Sequence, residues 1–170
     1  MRRIVIVCAV LAAACGGEGA PAGGAPEAAA AGIDACSLLE PEDVQAVTGE
    51  PMQARLEEQG RGEVESYLSI CTFDPVNEES TGSVSISYRP SPEITDPADA
   101  LERQIRDVRE NVMPEYTLEP VDELGPGAGW DPGMSQLTVM RPGAMLLIDA
   151  PGDREAAVDL ALRALERIPG

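Results

Sequence analysis

Histidine and lysine are absent from this chain of 170 residues, and aromatic residues make up only 3% of it. Without histidine, a serine, histidine and aspartate triad lacks its general base. A zinc or other soft-metal site likewise lacks its commonest nitrogen ligand. The sequence therefore indicates a non-enzymatic protein with no catalytic residues, no metal site and no cofactor.

The charge of the chain is strongly one-sided, because 30 acidic residues stand against 12 arginines, which gives a formal net charge of −18. Nucleic acids bind through clusters of lysine and arginine that displace counterions from phosphates. Nucleic acid is therefore excluded as a partner. An acidic surface also repels anionic lipid head groups, so any attachment to a membrane requires a lipid anchor.

The first 14 residues predict a targeting segment. Arg2 and Arg3 form a positive start, and an unbroken apolar stretch of residues 4–14 follows. This stretch is shorter than the roughly 20 residues that span a bilayer, and it ends in small residues, as a signal peptide does. An ordinary secretory signal is one interpretation of this pattern.

The other interpretation rests on Cys15, which directly follows three alanines. The run "AAAC" with Gly16 resembles a bacterial lipobox, although Ala12 stands where leucine is usual. This resemblance implies that residues 1–14 are removed and that Cys15 is lipidated. Residues 15–32 then form a linker of glycine, alanine, proline and glutamate, which cannot build a core. We expect a protein anchored by its lipid on the extracytoplasmic side of a bacterial membrane.

The remaining cysteines support export. Cys8 lies in the signal segment, so Cys36 and Cys71 are left as an even pair and predict a disulfide in an oxidising compartment. The competing interpretation, a metal pair, lacks the further thiols or histidines that such a site needs.

Residues 33–170 predict a single α+β domain. Its mainly antiparallel sheet has about five strands, with one short N-terminal helix and two longer helices packed on it. The predicted order is a helix starting at Pro41 and stopping at Gly49, strands at 51–56, 64–73 and 83–89, a helix from 97 to Pro114, a hairpin turning at 141–144, and a helix from Asp153 to about Ile168.

Two patterns predict which faces are buried. In the second helix, Leu101, Ile105, Val108 and Val112 form one apolar stripe. In "SVSISYR", residues 83–89, Val, Ile and Tyr alternate with serines, which indicates one buried and one solvated face of a strand.

The segment "ELGPGAGWDPG" is rich in glycine, which suits a phosphate cradle. It lacks the spacing of a P-loop and its lysine. We interpret it as a tight loop with Trp130 as a buried anchor. Trp130, whose ring joins an apolar body to a polar tip, is also the first candidate for a ligand cleft, with Tyr88 as the second.

Carboxylates offer two further hypotheses. A pair of them in a cleft would suit a hydrolase, but the sequence selects no pair. The turn "DPVNEES" brings Asp74, Asn77, Glu78 and Glu79 together, which are oxygen ligands that Ca²⁺ accepts. The turn does not match the EF-hand pattern, and an exposed acidic turn is the simpler interpretation.

Four segments resemble a family of small bacterial lipoproteins of unknown function, whose domain opens with Cys-Ser-Leu-Leu. They are "DACSLLEPEDVQAVTGEP", "CTFDP", "VDELGPGAGW" and "MRPGAMLLID". Glu40 departs from the family pattern, which has a Thr-type helix cap. The family is distantly similar to extracellular sensor domains of bacterial kinases, whose sheet carries a ligand cleft. The resemblance implies no reaction and no cofactor.

Together these observations predict a membrane-anchored exported lipoprotein with a non-catalytic domain that binds a small molecule or an envelope protein. The alternatives are a carboxylate-dependent hydrolase and a structural or Ca²⁺-binding component of the cell envelope.

Overall fold

The computed structural model describes residues 33–61, 67–77, 79–80, 82–150 and 153–169, without the side chains of 58–61. The predicted signal segment, Cys15 and the linker lie outside the described residues. The helices are α1 (Pro41–Thr48), α2 (Pro97–Asn111) and α3 (Arg154–Glu166). The strands are β1 (Met52–Arg61), β2 (Tyr67–Pro75), β3 (Val84–Ser91), β4 (Glu119–Pro120), β5 (Ala128–Asp131), β6 (Gln136–Arg141) and β7 (Gly143–Asp149).

The strands form one antiparallel sheet in the order β1-β2-β3-β7-β6-β5-β4. The predicted α+β class, the antiparallel sheet and the three helices are confirmed. The strand number was too low, because the sheet has seven strands rather than about five. Of the two extra strands, β5 lies within the segment that glycine content had assigned to a loop, and β4 lies just before that segment.

The first face of the sheet carries the main core, and α1 and α3 pack on it. Tyr88 and Leu146 lie side by side in the β3–β7 register, as do Ile86 and Ile148. All four are at most 1% exposed. Helix α3 contributes a face of small and apolar side chains, which are Ala157, Leu160, Ala161 and Ala164. Small residues let this helix lie close to the sheet.

Helix α1 begins and ends where the sequence predicts. Pro41 occupies its first turn, and Gly49 ends it with φ +78°, a left-handed conformation that glycine adopts without strain. The backbone N–H of Glu40 donates to Asp43 Oδ2 at 2.9 Å. The first turn is therefore capped by the aspartate three residues later, although a Thr-type cap is missing.

Asp43 also ties α1 to α3. Arg167 Nη1 donates to Asp43 Oδ2 at 2.6 Å, and Arg163 Nη1 donates to Asp43 Oδ1 at 3.3 Å. Partial burial by itself raises the pKa of Asp43. The hydrogen bonds from Arg167, the Glu40 N–H and Arg163, together with the charge of Arg167, outweigh burial and hold this pKa below its ordinary value.

Helices α2 and α3 begin at the predicted caps. Asp96 accepts hydrogen bonds from the Ala98 and Asp99 N–H groups at the start of α2. At the start of α3, Asp153 accepts hydrogen bonds from the Glu155 and Ala156 N–H groups. Helix α2 ends at Asn111, three residues before Pro114. None of the described helices is long and apolar enough to cross a lipid bilayer.

The predicted disulfide is present and fastens the start of the domain to the sheet. Cys36 lies in a single 3₁₀ turn, and Cys71 lies on β2. Two hydrogen bonds flank it, from the Ala35 N–H to Ser69 Oγ at 2.9 Å and from the Tyr67 hydroxyl to the Ile33 carbonyl at 3.2 Å. The 3₁₀ turn is thus held on β2 at three points.

Removing the disulfide with Cys36→Ala and Cys71→Ala together should lower the free energy of unfolding by about 4 kcal/mol, the loop entropy expected for a separation of 35 residues. Urea unfolding of both proteins measures the difference. Adding a thiol reductant is the control, because it should weaken the wild type and leave the double variant unchanged. Equal unfolding midpoints for the two proteins without reductant would contradict the stabilising role.

Candidate functional site

Helix α2 packs on the second face of the sheet, opposite the main core. Ala100 and Leu101 are buried there against Met140 of β6, and Ile105 lies beside them. This is a second, smaller core on the β5 and β6 side of the sheet. It fixes the position of α2, because the rest of that helix has no buried side chain.

Two glycines of the "GPGAGW" segment permit this packing. A Cβ atom at Gly127 would overlap Pro97 of α2 and lie 2.8 Å from the Met140 carbonyl oxygen. A Cβ atom at Gly129 would lie 2.8 Å from Leu118 Cβ. The glycine content therefore serves the close approach of α2 and of the segment after it, with β5 as an ordinary strand beneath them.

A groove of about 530 Å³ opens where α2 leaves the sheet, above β7 and β3. We call it the α2 groove. Its helix wall consists of one face of α2 and the residue after it, namely Ala100, Arg103, Gln104, Asp107, Val108 and Val112. Its floor and opposite wall come from the sheet and the turn after β3, namely Arg89, Ser91, Glu93, Ile94, Met140 and Met145. The size falls within the range of pockets that hold small molecules.

The predicted apolar stripe of α2 divides between these two places. Leu101 and Ile105 belong to the second core, as expected, whereas Val108 and Val112 line the groove. Val112 is 76% exposed, so its burial was wrongly predicted. After Leu101 the helix has no further buried side chain, and the apolar residues Val108 and Val112 form part of one side of the groove.

Four charged side chains surround this apolar floor, two of each sign. Arg89 and Glu93 belong to the sheet wall, and Arg103 and Asp107 belong to the helix wall. Within the described part of the chain, none of the four side chains forms an ion pair or a hydrogen bond. Arg103 and Asp107 are one helical turn apart, but the cation precedes the anion, which is the less favourable order for pairing.

Gln104 is the polar residue between these charges. Its Oε1 atom is enclosed by protein and has no hydrogen-bond partner among the described residues. A buried acceptor without a donor costs free energy. The amide therefore gives up no internal hydrogen bond when it turns toward the groove.

Elsewhere on the second face, serine and glutamine side chains hold two carboxylates, whereas the buried Thr138 Oγ1 has no hydrogen-bond partner among the described residues. Asp149 accepts from Ser85 Oγ and from Gln136 Nε2, both at 2.7 Å. Asp74 accepts from Ser83 Oγ at 2.7 Å and pairs with Arg55 at 3.3 Å. The Ser83 hydrogen bond and the Arg55 guanidinium hold the pKa of Asp74 below its ordinary value. Two of the predicted outward serines thus serve to orient carboxylates.

In the turn considered as a calcium site, two of the side chains that could bind Ca²⁺ already accept hydrogen bonds within the protein. Asp74 is occupied as described, and Asn77 Oδ1 accepts the Glu79 N–H at 3.2 Å. Glu78 lies outside the described residues. Searching the described residues finds no group of three or more acidic or cysteine side chains that could hold a metal ion.

Neither sequence-predicted ligand residue lines the α2 groove. Trp130 lies on β5 and Tyr88 on β3, and both belong to the main core on the first face, with exposures of 4% and 1%. Burial and the neighbouring Tyr67 raise the pKa of Tyr88, so its hydroxyl stays protonated. Trp130 is the buried anchor that the sequence predicts.

The groove residues themselves were missed. A signal was present, because Arg103, Gln104 and Asp107 repeat with helical spacing beside the apolar stripe. Arg89 and Glu93, the other charged residues of the lining, come from β3 and the turn after it, and only the tertiary fold brings them to the same groove as α2.

Comparison with known proteins adds no relative, since no family model, no curated protein and no solved structure matches this chain. The geometry of the groove and the N-terminal sequence are therefore the features that indicate a function.

Gly127→Ala should separate α2 from β6, because the new methyl group meets the backbone of Met140. We expect a loss of about 1–3 kcal/mol in the free energy of unfolding, as for an overpacked core. The matched control is Gly82→Ala, where a Cβ atom meets nothing within 4 Å and the change should stay within about 0.5 kcal/mol. Equal stability of the two variants in urea would contradict the close approach.

Proposed function

We propose that this chain is an exported bacterial lipoprotein whose folded domain binds a small ligand in the α2 groove without transforming it. The observation that carries the proposal is the groove itself, whose apolar floor is lined by four charged side chains that have no ion pair or hydrogen bond within the described part of the chain. Unpaired charges beside apolar surface are the lining that gives small-molecule sites affinity together with orientation.

A binding role is favoured over a reaction by the types of residue in the groove. Its lining offers arginines, carboxylates, one amide and one serine around an apolar floor. The serine hydroxyl, Ser91 Oγ, lies 3.5 Å from the Arg89 carbonyl oxygen, and the chain has no histidine to serve as its base. Side chains of these types recognise charge and shape.

The anchor part of the proposal rests on the sequence around Cys15 and on the disulfide. A disulfide between Cys36 and Cys71 suits an oxidising compartment outside the cytoplasm. The resemblance to small bacterial lipoproteins, in the Cys-Ser-Leu-Leu opening and the following segments, belongs to the same proposal. In this arrangement the lipid holds the protein at the membrane and leaves the groove open to solvent.

The anchor is tested by expressing the full chain in a bacterium that processes lipoproteins. Mass spectrometry should find a mature N-terminus at Cys15 that carries acyl groups, and the protein should sediment with membranes. Cys15→Ser should remove the acyl groups and release the protein. The matched control is Cys8→Ser, which lies within the removed segment and should leave acylation unchanged. An unmodified mature N-terminus at another residue would overturn the anchor.

The groove is tested by a thermal-shift screen of amphiphilic small molecules against the wild type and Val108→Trp, which fills the groove with an indole ring. Compounds that bind there should raise the melting temperature of the wild type and have little effect on the variant. Leu162→Trp, at a 43% exposed position on α3, is the matched control and should respond like the wild type. If Val108→Trp responds to every compound as the wild type does, binding in the groove is refuted.

A further inference from the structure

We infer that the α2 groove takes a zwitterionic ligand with an apolar body, of which a short apolar peptide with free termini is the simplest example. This inference rests on the proposed function and gives its ligand a chemical class. The lining contributes two guanidinium groups and two carboxylates around methionine, isoleucine and valine side chains. Such a lining matches a molecule that carries one charge of each sign and an apolar middle.

The first reason to expect a zwitterion is that the groove lining carries charges of both signs. Glu93, Arg103 and Asp107 are exposed and Arg89 is half-buried, and a purely apolar ligand would displace water from these charged groups without offering any of them a partner, which is costly. An anionic amphiphile would pair with Arg89 and Arg103 but leave Glu93 and Asp107 covered and unpaired. A zwitterion places its carboxylate at a guanidinium and its ammonium at a carboxylate, so that each sign finds a partner.

The net charge of the chain is the second reason. At −18, the protein repels anions at long range and slows their approach. A ligand with no net charge escapes this repulsion. Its carboxylate and ammonium groups interact with charged side chains only at short range, once the ligand is within the groove that Arg89 and Arg103 line.

The third reason to expect a zwitterion is the unpaired acceptor atom of Gln104. Its Oε1 has no donor among the described residues, so the amide can turn to accept a hydrogen bond from a ligand. Ammonium groups and peptide N–H groups are donors, whereas a fatty acid ionised at neutral pH has none. The acceptor therefore favours a nitrogen-bearing ligand over a fatty acid of the same length.

The experiment is isothermal titration of the full-length mature protein with trileucine, which has free termini and no net charge. The comparison probes are N-acetyl-trileucine, trileucine amide and laurate. Trileucine should bind most tightly. Capping either end should weaken binding about tenfold or more, because each cap leaves groove charges of one sign unpaired.

Two double variants assign the contacts. Glu93→Gln with Asp107→Asn should weaken trileucine but not N-acetyl-trileucine, since the capped peptide is an anion that has no ammonium group and no longer covers two unpaired carboxylates. Arg89→Gln with Arg103→Gln should weaken trileucine but not trileucine amide, which is a cation without a carboxylate for these arginines to bind. The matched controls are Glu102→Gln and Arg106→Gln, two exposed positions of α2 outside the groove lining, and they should bind trileucine like the wild type.

Laurate could bind more tightly than trileucine and lose its binding in the Arg89→Gln with Arg103→Gln variant. The groove would then remain a ligand site, but the zwitterion inference would be overturned. If trileucine binds both double variants as tightly as it binds the wild type, it binds elsewhere and the inference is overturned. If no probe binds the wild type, the inference fails, and the thermal-shift screen with Val108→Trp decides separately whether the groove binds anything.

Discussion

The pairing of β3 with β7 is the interaction on which the rest of this domain depends. Within the described strands, every other pairing joins strands that follow one another along the chain. Only β3 and β7, which are separated by α2 and three strands, bring the N-terminal half of the sheet to the C-terminal half. Their shared register places Tyr88 beside Leu146 and Ile86 beside Ile148 in the core. Apolar burial at this seam therefore holds the two halves together.

The seam also explains where the groove lies. On the second face of the sheet, the same register sets Arg89 beside Met145, and Met145 in turn lies beside Met140 of β6. A charged wall from one half thus meets an apolar floor from the other. Helix α2 belongs to the connection between the halves, and its docking at Gly127 leaves its last turns above the seam. A ligand in the groove would contact both halves and the connection at once.

Local chemistry made much of this fold predictable. Proline and aspartate mark the starts of α1, α2 and α3, Gly49 marks an end, and Pro142-Gly143 forms the turn of the β6–β7 hairpin, with φ +79° at the glycine. The disulfide followed from counting cysteines. Strands β4 and β5 were missed because the glycines at 127 and 129 are required by Pro97 and Leu118, which come from other parts of the chain. The sequence of residues 123–133 alone does not show that a close contact with a distant residue requires these glycines.

The candidate site was less predictable than the fold for the same reason. Trp130 and Tyr88 were predicted as ligand residues because aromatic side chains are rare in this chain. In the structure both rings are part of the main core, where large apolar side chains contribute most of the buried area. The groove instead uses residues that look like ordinary solvated charges along the sequence. What distinguishes Arg103 and Asp107 is that they face Arg89 and Glu93 across an apolar floor, and that arrangement depends on the β3–β7 register.

The most direct test of the account is the NMR spectrum of the methionine methyl groups during titration with trileucine. If the groove is the ligand site, the signals of Met140 and Met145, which lie on the groove floor, shift together and saturate with the peptide. The signals of Met52 in the main core and of Met134 on the exposed β5–β6 turn should stay in place. Peptide binding that leaves Met140 and Met145 unmoved, or that moves Met134 as far as either, would contradict the assignment of the groove as the ligand site.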